Sequence, residues 1–485
     1  HIENLANCMV SITELLVEYI CELFGKKFNM ALSSEFIQYL RAEFNAPKLR
    51  FDYNGTDKTA YLQSVGEIRR DINLMPGYVQ VVVDNTDGSW DTFLTDDDTL
   101  TKKGVLTLTL ANLTDTTIAF HENTPSADTI TDSKNRFIMT GFKAGMIITI
   151  DNSNGNDKDV TIATVTPGVI TLVGGDDLAN EGVGANVTLK LKEELPLFSG
   201  YAIEASYNYD EKSVNINFRD RISLALERRM EHVSGGAVYP IWTNYYTILG
   251  AKVDPHTVSE IVWIILTDNN YCNLDDTAST ANVDIDYTSF LAWVADVDAV
   301  YDIGVIAEGQ TCSDILMKIA QMTESVFWVG GEGKVKFMTG RTAGAYPLYT
   351  NEMLTFPEMR VAMEDRVNQI TCKFRYYPDT DTWLSDTSGV WITSSAVGPL
   401  NAPYTYTSDI IDDRTVFHNS VASATAYTTA RLLRMAAPPR EFVITTQLLG
   451  FSEDVRSDIA LQDLYVGLYD NIPIQINEIT YIPET

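Results

Sequence analysis

Residues 312–338, CSDILMKIAQMTESVFWVGGEGKVKFM, change from one hydrophobic spacing to another. The first part places apolar residues three and four positions apart, which predicts a helix over residues 312–322 with Ser313 as its cap. The second part has β-branched and aromatic runs at residues 326–329 and 334–338 on either side of a glycine-rich turn, which predicts a β-hairpin. A helix that leads directly into a hairpin indicates an α+β fold.

Strand patterns dominate the chain before this segment. Residues 49–53 alternate apolar and polar side chains and end at Asn54-Gly55, which predicts a strand and a tight turn. Residues 78–83 and 105–110 are predicted strands of the same antiparallel sheet. The pattern returns at residues 195–218, and we expect that segment to complete the sheet opened at Leu49.

Residues 113–190 are predicted to form a self-contained insertion. Turn dipeptides at Asn154-Gly155, Pro167-Gly168 and Gly174-Gly175 separate short β patterns. These patterns lie at residues 137–138, 146–150, 160–162, 169–173 and 187–189. Short strands at this spacing predict a small β-barrel or sandwich.

The rest of the chain alternates helical and strand patterns. Further helices are predicted at residues 222–230, 258–266 and 422–435, the last ended by Pro438-Pro439. A strand is predicted at residues 367–377, and residues 404–413 are predicted to be a polar loop. Closing strands are predicted at residues 442–449, 463–468 and 472–481.

The N-terminal segment is predicted to be helical. Ser11 and Glu14 have capping-box spacing, and the apolar stripe after them ends at Gly25. A second helix is predicted over residues 34–44, just after Met30. Two interpretations stay open, because the chain does not begin with Met. The first helix is either an extension upstream of a start at Met30, or a docking element whose apolar face meets a partner.

The length of 485 residues predicts two to four domains. The patterns assign residues 1–47 to N-terminal helices and residues 48–112 with 191–235 to a discontinuous first β-barrel domain. Residues 113–190 form the inserted β domain of this prediction. Residues 236–355 are assigned to a helical unit with a β-hairpin, and residues 356–485 to a second β-barrel domain. The predicted fold class is therefore α+β, dominated by sheet, with β-barrel domains, an inserted small β-barrel or sandwich and a helical middle unit.

The chain is strongly acidic, with 66 Asp and Glu against 35 Lys and Arg and a formal net charge of −31. Such a surface repels phosphate backbones, and tight sequence-independent DNA binding needs a basic stripe that this sequence lacks. The charge is compatible with ordinary solubility. It is equally compatible with a wall past which DNA slides without sticking.

Cysteine and histidine placement argues against disulfide and metal frameworks. The five cysteines, at positions 8, 21, 272, 312 and 372, are odd in number, scattered, and without C-x-x-C spacing. This pattern fits assembly in a reducing compartment. The most apolar short run, residues 261–266, is far shorter than the roughly 20 residues of a membrane span, and no signal-peptide pattern is found.

Motifs of catalysis and ligand binding are weak throughout. His121-Glu122 begins like a zinc motif, but Asn123-Thr124-Pro125 follows and no second histidine does. Residues 151–157 resemble a calcium loop in composition, yet glycine and Ile162 occupy the wrong places, so a hairpin turn is favoured. A turn is likewise favoured over calcium binding for Asp84, Asp87 and Asp91. Residues 330–333 lack the Lys-Ser/Thr of a phosphate loop, so no catalytic, cofactor-binding or metal-binding residue is predicted, and we expect no enzyme.

The order of segments resembles the tail hub proteins of bacteriophages, also called tail-tip or baseplate hub proteins. The resemblance spans residues 49–485 and rests on order more than on any single motif. Its elements are the helix at 309–320, the Gly-Lys hairpin at 333–337, the strand at 365–374, the alanine-rich helix before Pro438-Pro439, and closing strands at 461–466 and 479–481. The insertion, at 141–150 and 160–162, is similar to a small β module of phage structural proteins. The helix before Met30 departs from the family.

The resemblance implies a structural virion protein without a cofactor. Tail-tube-like β-barrel domains would form a homotrimeric hub or tip ring at the distal end of the tail, assembled in the host cytoplasm. The ring would join the tail tube or distal tail protein to spikes or fibres, meet the tape-measure protein, and let DNA pass during genome ejection without binding it specifically. Phage and phage-derived injection machines are not separated by this pattern.

Two other functions stay open. A receptor- or carbohydrate-binding tail protein would display aromatic residues on loops, and Tyr376-Tyr377 or residues 404–406 are candidates. Trp242, Trp263, Trp293 and Trp328 are expected in the core more often than on a sugar platform. A wall-degrading enzyme would bring an acid pair or zinc motif, and neither stands out among so many carboxylates.

Overall fold

The computed structural model describes most of the chain beyond residue 47. The described residues are 48–71, 74, 77–91, 102–109, 113–123, 126–230, 232–234, 237–239, 241–339, 347–349, 358–361, 369–384, 392–395, 408–435, 440–443, 458–463, 468–475 and 478–481. The predicted N-terminal helices and the aromatic residues 404–406 lie outside them.

The described residues between 48 and 219 form fifteen strands. They are β1 Lys48–Tyr53, β2 Thr56–Asp57, β3 Leu62–Val65, β4 Ile68–Asp71, β5 Tyr78–Asp84, β6 Lys103–Thr109, β7 Leu113–Asp115, β8 Ile118–His121, β9 Thr129–Asp132, β10 Ile147–Asp151, β11 Lys158–Val165, β12 Val169–Leu172, β13 Val187–Leu191, β14 Leu195–Asn208 and β15 Ser213–Arg219.

Shorter strands follow in the rest of the described chain. They are β16 His232–Ser234, β17 Ala237–Tyr239, β18 Ile241–Thr243, β19 Tyr245–Tyr246, β20 Lys252–Val253, β21 Ile303–Ala307, β22 Ser325–Val329, β23 Val335–Thr339, β24 Pro347–Tyr349, β25 Glu358–Val361, β26 Gln369–Cys372, β27 Tyr376–Tyr377, β28 Thr382–Trp383, β29 Ile392–Ser395, β30 Ser408–Ile411, β31 Val416–His418, β32 Arg440–Val443, β33 Asp458–Asp463, β34 Leu468–Gln475 and β35 Glu478–Tyr481.

The helices of the described residues are fewer and mostly lie in the middle of the chain. They are α1 Phe137–Thr140, α2 Arg221–Leu226, α3 Val258–Thr267, α4 Tyr287–Val297, α5 Cys312–Met322 and α6 Val421–Met435, with a short 3-10 turn at Thr59–Tyr61. The predicted α+β class dominated by sheet is confirmed.

The first seven-stranded sheet has the order β2-β1-β6-β14-β15-β5-β3. Side chains alternate along its strands, and Phe51, Val81 and Ile216 are fully buried on its inner face. Gly104 allows close packing here, because a Cβ at this position would lie 2.4 Å from the Phe218 ring. The segment after residue 195 completes the sheet that Leu49 opens, as the sequence predicted.

The insertion forms a second seven-stranded sheet with the order β7-β13-β10-β11-β12-β9-β8. Its edge strands β7 and β8 are joined by a tight turn but form no ladder with each other in the described residues. The edge strands of the first sheet, β2 and β3, likewise form no ladder with each other in the described residues. The strands predicted for barrels are therefore present, while barrel closure is not seen in the described part of the chain.

One arginine joins three parts of the insertion, and we call its contacts the Arg136 clasp. Arg136 binds Asp132 through Nε at 2.9 Å and Asp115 through Nη1 at 2.6 Å, and it donates to Thr117 Oγ1 at 2.9 Å. Asp132 is buried. Burial raises the pKa of this carboxyl, but hydrogen bonds from Arg136, Thr117 and the backbone of Lys134 outweigh it, and the pKa falls to about 2.

Replacing Arg136 with Met should lower the free energy of unfolding by about 1–3 kcal/mol at pH 7, because a buried carboxylate loses its charged partner. A carboxyl with a lowered pKa contributes stability above its unfolded pKa of 3.8 and loses it as the pH falls through about 2. The difference between Arg136→Met and the unmodified chain should therefore shrink over that interval. Urea unfolding at pH 7 and at acidic pH measures it.

Lys134 offers a matched control for the Arg136 clasp. Its ammonium also binds Asp115, at 2.7 Å, but its side chain is 53% exposed. Lys134→Met should therefore cost less than about 1 kcal/mol. Equal losses of unfolding free energy for the two variants would show that the stabilisation by the Arg136 clasp does not depend on the burial of Asp132.

Helices α3, α4 and α5 pack with the hairpin β22–β23 around one apolar cluster, which we call the helical core. Helix α5 has the predicted bounds, but Thr311 caps it instead of Ser313, in a capping box with Asp314. The predicted helix at 222–230 ends early, at Leu226, and Asp220 caps it. Helix α4 was not predicted.

Three other predictions were wrong in detail. Phe137-Ile138 begins a helical turn and not a strand. The predicted strand at 367–377 is divided into β26 and β27, with Arg375 between them at φ 53°, a backbone angle that strands do not adopt. The predicted loop at 404–413 contains the strand β30, which pairs with β26 in parallel.

Candidate interaction surface

The residues first considered for metal binding serve local structure. His121 Nε2 lies 3.1 Å from Thr131 Oγ1 on the neighbouring strand, and the Glu122 backbone N–H donates to Asn180. Among the described residues no group of three or more His, Cys, Asp or Glu side chains is arranged to hold a metal ion.

The loop that resembles a calcium site, residues 151–157, is fastened by its own polar groups. Asp157 accepts hydrogen bonds from the backbone N–H and the hydroxyl of Ser153. Asn156 is buried and bonds to Ala179 and Glu181 on the facing loop. This carboxylate and this amide therefore hold a hairpin turn in place.

The acidic patch after β5 forms a turn of the same kind. Asp84 and Asp87 accept from backbone N–H groups two residues further on, and Asp91 accepts from the Asn85 amide. Hydrogen bonds from Ser89 hold the pKa of Asp87 below its ordinary value. These carboxylates stabilise the turn.

Most of the candidate sugar-binding aromatics are inside the protein. Trp293, Trp328 and the pair Tyr376-Tyr377 are buried, and Trp263 is partly buried. Trp242 is 40% exposed and packs edge-on against Tyr245. Among these described candidates only the Trp242 ring is substantially exposed, and one ring is less than a stacking platform requires.

The buried titratable groups of the described residues also have structural partners. Burial raises the pKa of Asp220, whose carboxylate accepts from the backbone N–H groups of Gly77 and Ser223, both at 2.6 Å. His418 is enclosed and lies 2.7 Å from Ser423 Oγ. Neither faces an open cleft, as an acid or base that meets a substrate would.

The surface best suited to a partner is the far end of β14 and β15, residues 202–213, which we call the arm. The described ladder between β14 and β6 runs to Tyr201, opposite Lys103, and the Ala202 N–H donates to Lys102 O at 3.3 Å. The ladder of β14 with β15 continues to Asn208, opposite Ser213. Within the described residues, β14 beyond residue 202 thus has a strand neighbour on one side only, and an unpaired strand edge is a template for another strand.

The arm is also unusually apolar for an exposed strand. Ile203 lies at a break in the register between Ala202 and Glu204 and is 42% exposed. Tyr209 at the tip is 83% exposed, and its ring is 4.5 Å from that of Tyr207. A bulge next to a free edge bends the strand and directs a side chain outward.

A second exposed apolar tip lies on the hairpin β19–β20. Its turn is closed by hydrogen bonds between Thr247 and Ala251, with Gly250 at φ 84°. Ile248 and Leu249 at the tip are 47% and 92% exposed. Exposed aliphatic residues at a rigid tip are typical of contact sites between proteins.

No family model and no curated protein matches the sequence. The fold is similar to that of three solved structures with low sequence identity. The 43 kDa tail protein of prophage MuSo2 from Shewanella oneidensis is 11% identical, with a TM-score of 0.39 over 89% of this chain and 93% of that one. The tail protein from Neisseria meningitidis MC58 is 7% identical, with a TM-score of 0.42 over 90% and 91%.

The third is prophage tail protein gp18 from Listeria monocytogenes EGD-e, which is 9% identical, with a TM-score of 0.35 over 75% of this chain and 90% of that one. All three are named tail proteins.

Sequence patterns did not single out the arm or the β19–β20 tip. Tyr207 and Tyr209 alternate with Asn208 just before Asp210-Glu211, which is a signal for a hairpin tip.

In the described residues no helix has the length and apolarity of a membrane span.

Proposed function

We propose that the protein is a structural component of a phage tail and forms the hub or tip ring that joins the tail tube to the distal tip or baseplate. The arm carries this proposal, because its edge is unpaired within the described residues and its Ile203 and Tyr209 side chains are exposed. The order of motifs along the sequence supports the same class of protein. The proposal assigns no catalytic role to the chain.

A closed ring is the arrangement that satisfies such edges. When copies related by rotation pair the arm of one with a strand edge of the next, each free edge finds a partner and the assembly stops at a fixed number. Exposed Ile203 and Tyr209 would then be covered by the neighbour. We propose a homotrimer, the state that the family resemblance implies.

The other proposed partners follow from position in the tail. The tail tube or a distal tail protein would lie above the ring, spikes or fibres below it, and the tape-measure protein inside it. The net charge of −31 suits a lumen through which DNA passes without binding. The proposed location is the distal end of the virion tail, after assembly in the host cytoplasm.

The ring proposal is tested by a lysine at the edge of the arm. Ile203→Lys should convert a trimeric ring into monomers, because a charge at a strand edge opposes pairing with a second strand. The state is measured by light scattering on the purified full chain, together with negative-stain images. Circular dichroism checks that the fold is intact.

Val183 supplies the matched control. It is 64% exposed in the segment between β12 and β13 of the insertion. Val183→Lys makes the same change of charge and should leave the ring intact. An unmodified chain that stays monomeric, or an Ile203→Lys ring indistinguishable from the unmodified one, would overturn the arm as the assembly edge.

A further inference from the structure

Two buried cysteines meet in the helical core although they are far apart in sequence. Cys272 lies in the loop after α3, where its backbone N–H donates to Ile265 O at 3.1 Å. Cys312 is the first residue of α5, and its backbone N–H donates to Arg228 O at 2.9 Å. They are 2% and 0% exposed.

Two observations place the thiols near each other. The Cys312 thiol is close enough to that of Cys272 to raise its pKa, and both side chains belong to the helical core. Arg228, which accepts from the Cys312 backbone, also donates through Nη1 to Tyr271 O at 2.9 Å. It therefore ties the residue next to Cys272 to the start of α5.

We propose that Cys272 and Cys312 form a latent disulfide site, oxidised by a low-molecular-weight disulfide such as glutathione disulfide. One thiolate attacks the glutathione disulfide, forms a mixed disulfide and releases one glutathione. The second protein thiol then attacks the mixed disulfide and releases the other glutathione. Two protein thiols are oxidised, one disulfide is reduced to two thiols, and no other reactant is needed.

The surroundings explain how the pair stays reduced until it is exposed to an oxidant. The neighbouring Cys312 thiol and burial raise the pKa of the Cys272 thiol well above its ordinary value, and the thiolate is the reactive form. At neutral pH Cys272 therefore remains a thiol. The reaction should be faster at alkaline pH.

The loop that carries Cys272 also gives the oxidant a route. An open cleft of about 710 Å³ is lined by Asp268, Asn273 and Leu274 of this loop, together with Arg221 and Asp284. A local opening of the loop toward the cleft exposes the buried thiols. Once formed, the disulfide fixes this side of the cleft to α5.

Cys372 is the internal comparison. It is also buried, at 1% exposed, and burial raises its pKa to about 12. Its thiol lies 3.2 Å from Lys373 O. Cys372 is as buried as Cys272 and Cys312 but lies elsewhere. Comparing its oxidation with theirs therefore separates the effect of a neighbouring thiol from the effect of burial.

The test brings the full chain to equilibrium in glutathione redox buffers from both directions, starting from the reduced native protein and from protein refolded with glutathione disulfide. Free thiols are alkylated in denaturant, and disulfide-linked peptides are measured by mass spectrometry. The Cys272–Cys312 linkage should be at least about ten-fold more abundant than any linkage to Cys372. It should persist in Cys372→Ala.

The oxidised chain should also unfold at a higher temperature than the reduced chain, and Cys312→Ala should abolish that shift. Peptide mapping of the unmodified chain decides the question even if this variant folds poorly. Alkylation of Cys272 and Cys312 to the same extent as Cys372, at equilibrium from both directions, would overturn the proposal. So would linkages spread evenly over the cysteines.

Discussion

Trp293→Ala should lower the free energy of unfolding of the helical core by about 3–5 kcal/mol. Trp293 lies on α4 and is 1% exposed. Its ring centroid is 5.3 Å from that of Phe327 and 5.6 Å from that of Phe337, on the two strands of the hairpin. Removing the indole leaves a cavity where helix and hairpin meet, and neighbours held by other contacts fill it only in part.

The substitution also removes a polar contact. Trp293 Nε1 donates to Ser325 Oγ at 2.8 Å. The Ser325 hydroxyl keeps its contacts with Thr323, at 2.8 and 3.2 Å, so it is not left without a partner. The loss therefore comes mainly from packing, and Trp293→Phe should recover part of it.

Urea unfolding followed by circular dichroism measures the effect. Leu291 provides the control on the same helix, because its side chain is 50% exposed. Leu291→Ala should change stability by less than about 0.5 kcal/mol. A loss below about 1 kcal/mol for Trp293→Ala would mean that the hairpin does not depend on this ring for its position.

Local signals predicted α5 well and α4 not at all. In α5 the stripe at Ile315, Leu316 and Ile319 is followed by a clear break, so periodicity alone gave its bounds. The sequence of α4, YTSFLAWVADV, is rich in aromatic and β-branched residues that favour strands in isolation. Burial of Phe290 and Trp293 in the helical core overrides that preference.

The helical turn α1 had a sequence signal, the glycine that ends it, but the strand composition of Phe137-Ile138 was given more weight. Phe137-Ile138 has strand composition, but Gly141 follows at φ 96° and its N–H donates to Ile138 O. A glycine in the left-handed region is a common end of a helical turn. The C-cap glycine was a better indicator here than composition.

The candidate site depends on contacts between distant residues, which local patterns do not fix. Residues 195–218 were correctly predicted as strand, but the register of β14 against β6 is set by residues about a hundred positions earlier. The pairing of Cys272 with Cys312 is likewise a product of tertiary packing. The spacing of the two cysteines matches no motif.

Acid should destabilise the protein through His418. This residue is fully buried, and burial lowers its pKa to about 3 from an ordinary value of 6.5, although nearby Asp302 opposes the shift. Ser423 Oγ accepts from the Asp302 backbone N–H at 3.0 Å and lies 2.7 Å from His418 Nδ1. The hydroxyl proton is then free to donate to Nδ1, and this contact favours the neutral ring.

Acid lowers stability because the folded and unfolded states differ in proton binding at His418. Below pH 6.5 the unfolded chain binds a proton at His418 that the folded chain excludes until about pH 3. Stability from this group is complete above pH 6.5 and falls by about 1.4 kcal/mol per pH unit between those values. At pH 4.5 the loss should be about 2–3 kcal/mol relative to pH 7.

Urea unfolding of the unmodified chain and of His418→Gln at pH 7, 5.5 and 4.5 separates this effect from general acid sensitivity. His418→Gln will be less stable at pH 7, but its stability should depend less on pH because the titrating group is gone. His256→Gln removes a partly exposed histidine, 30% exposed at the side chain, and is the comparison for the loss of a histidine as such. Parallel pH profiles for the unmodified chain and His418→Gln would show that His418 is not the group that acid titrates.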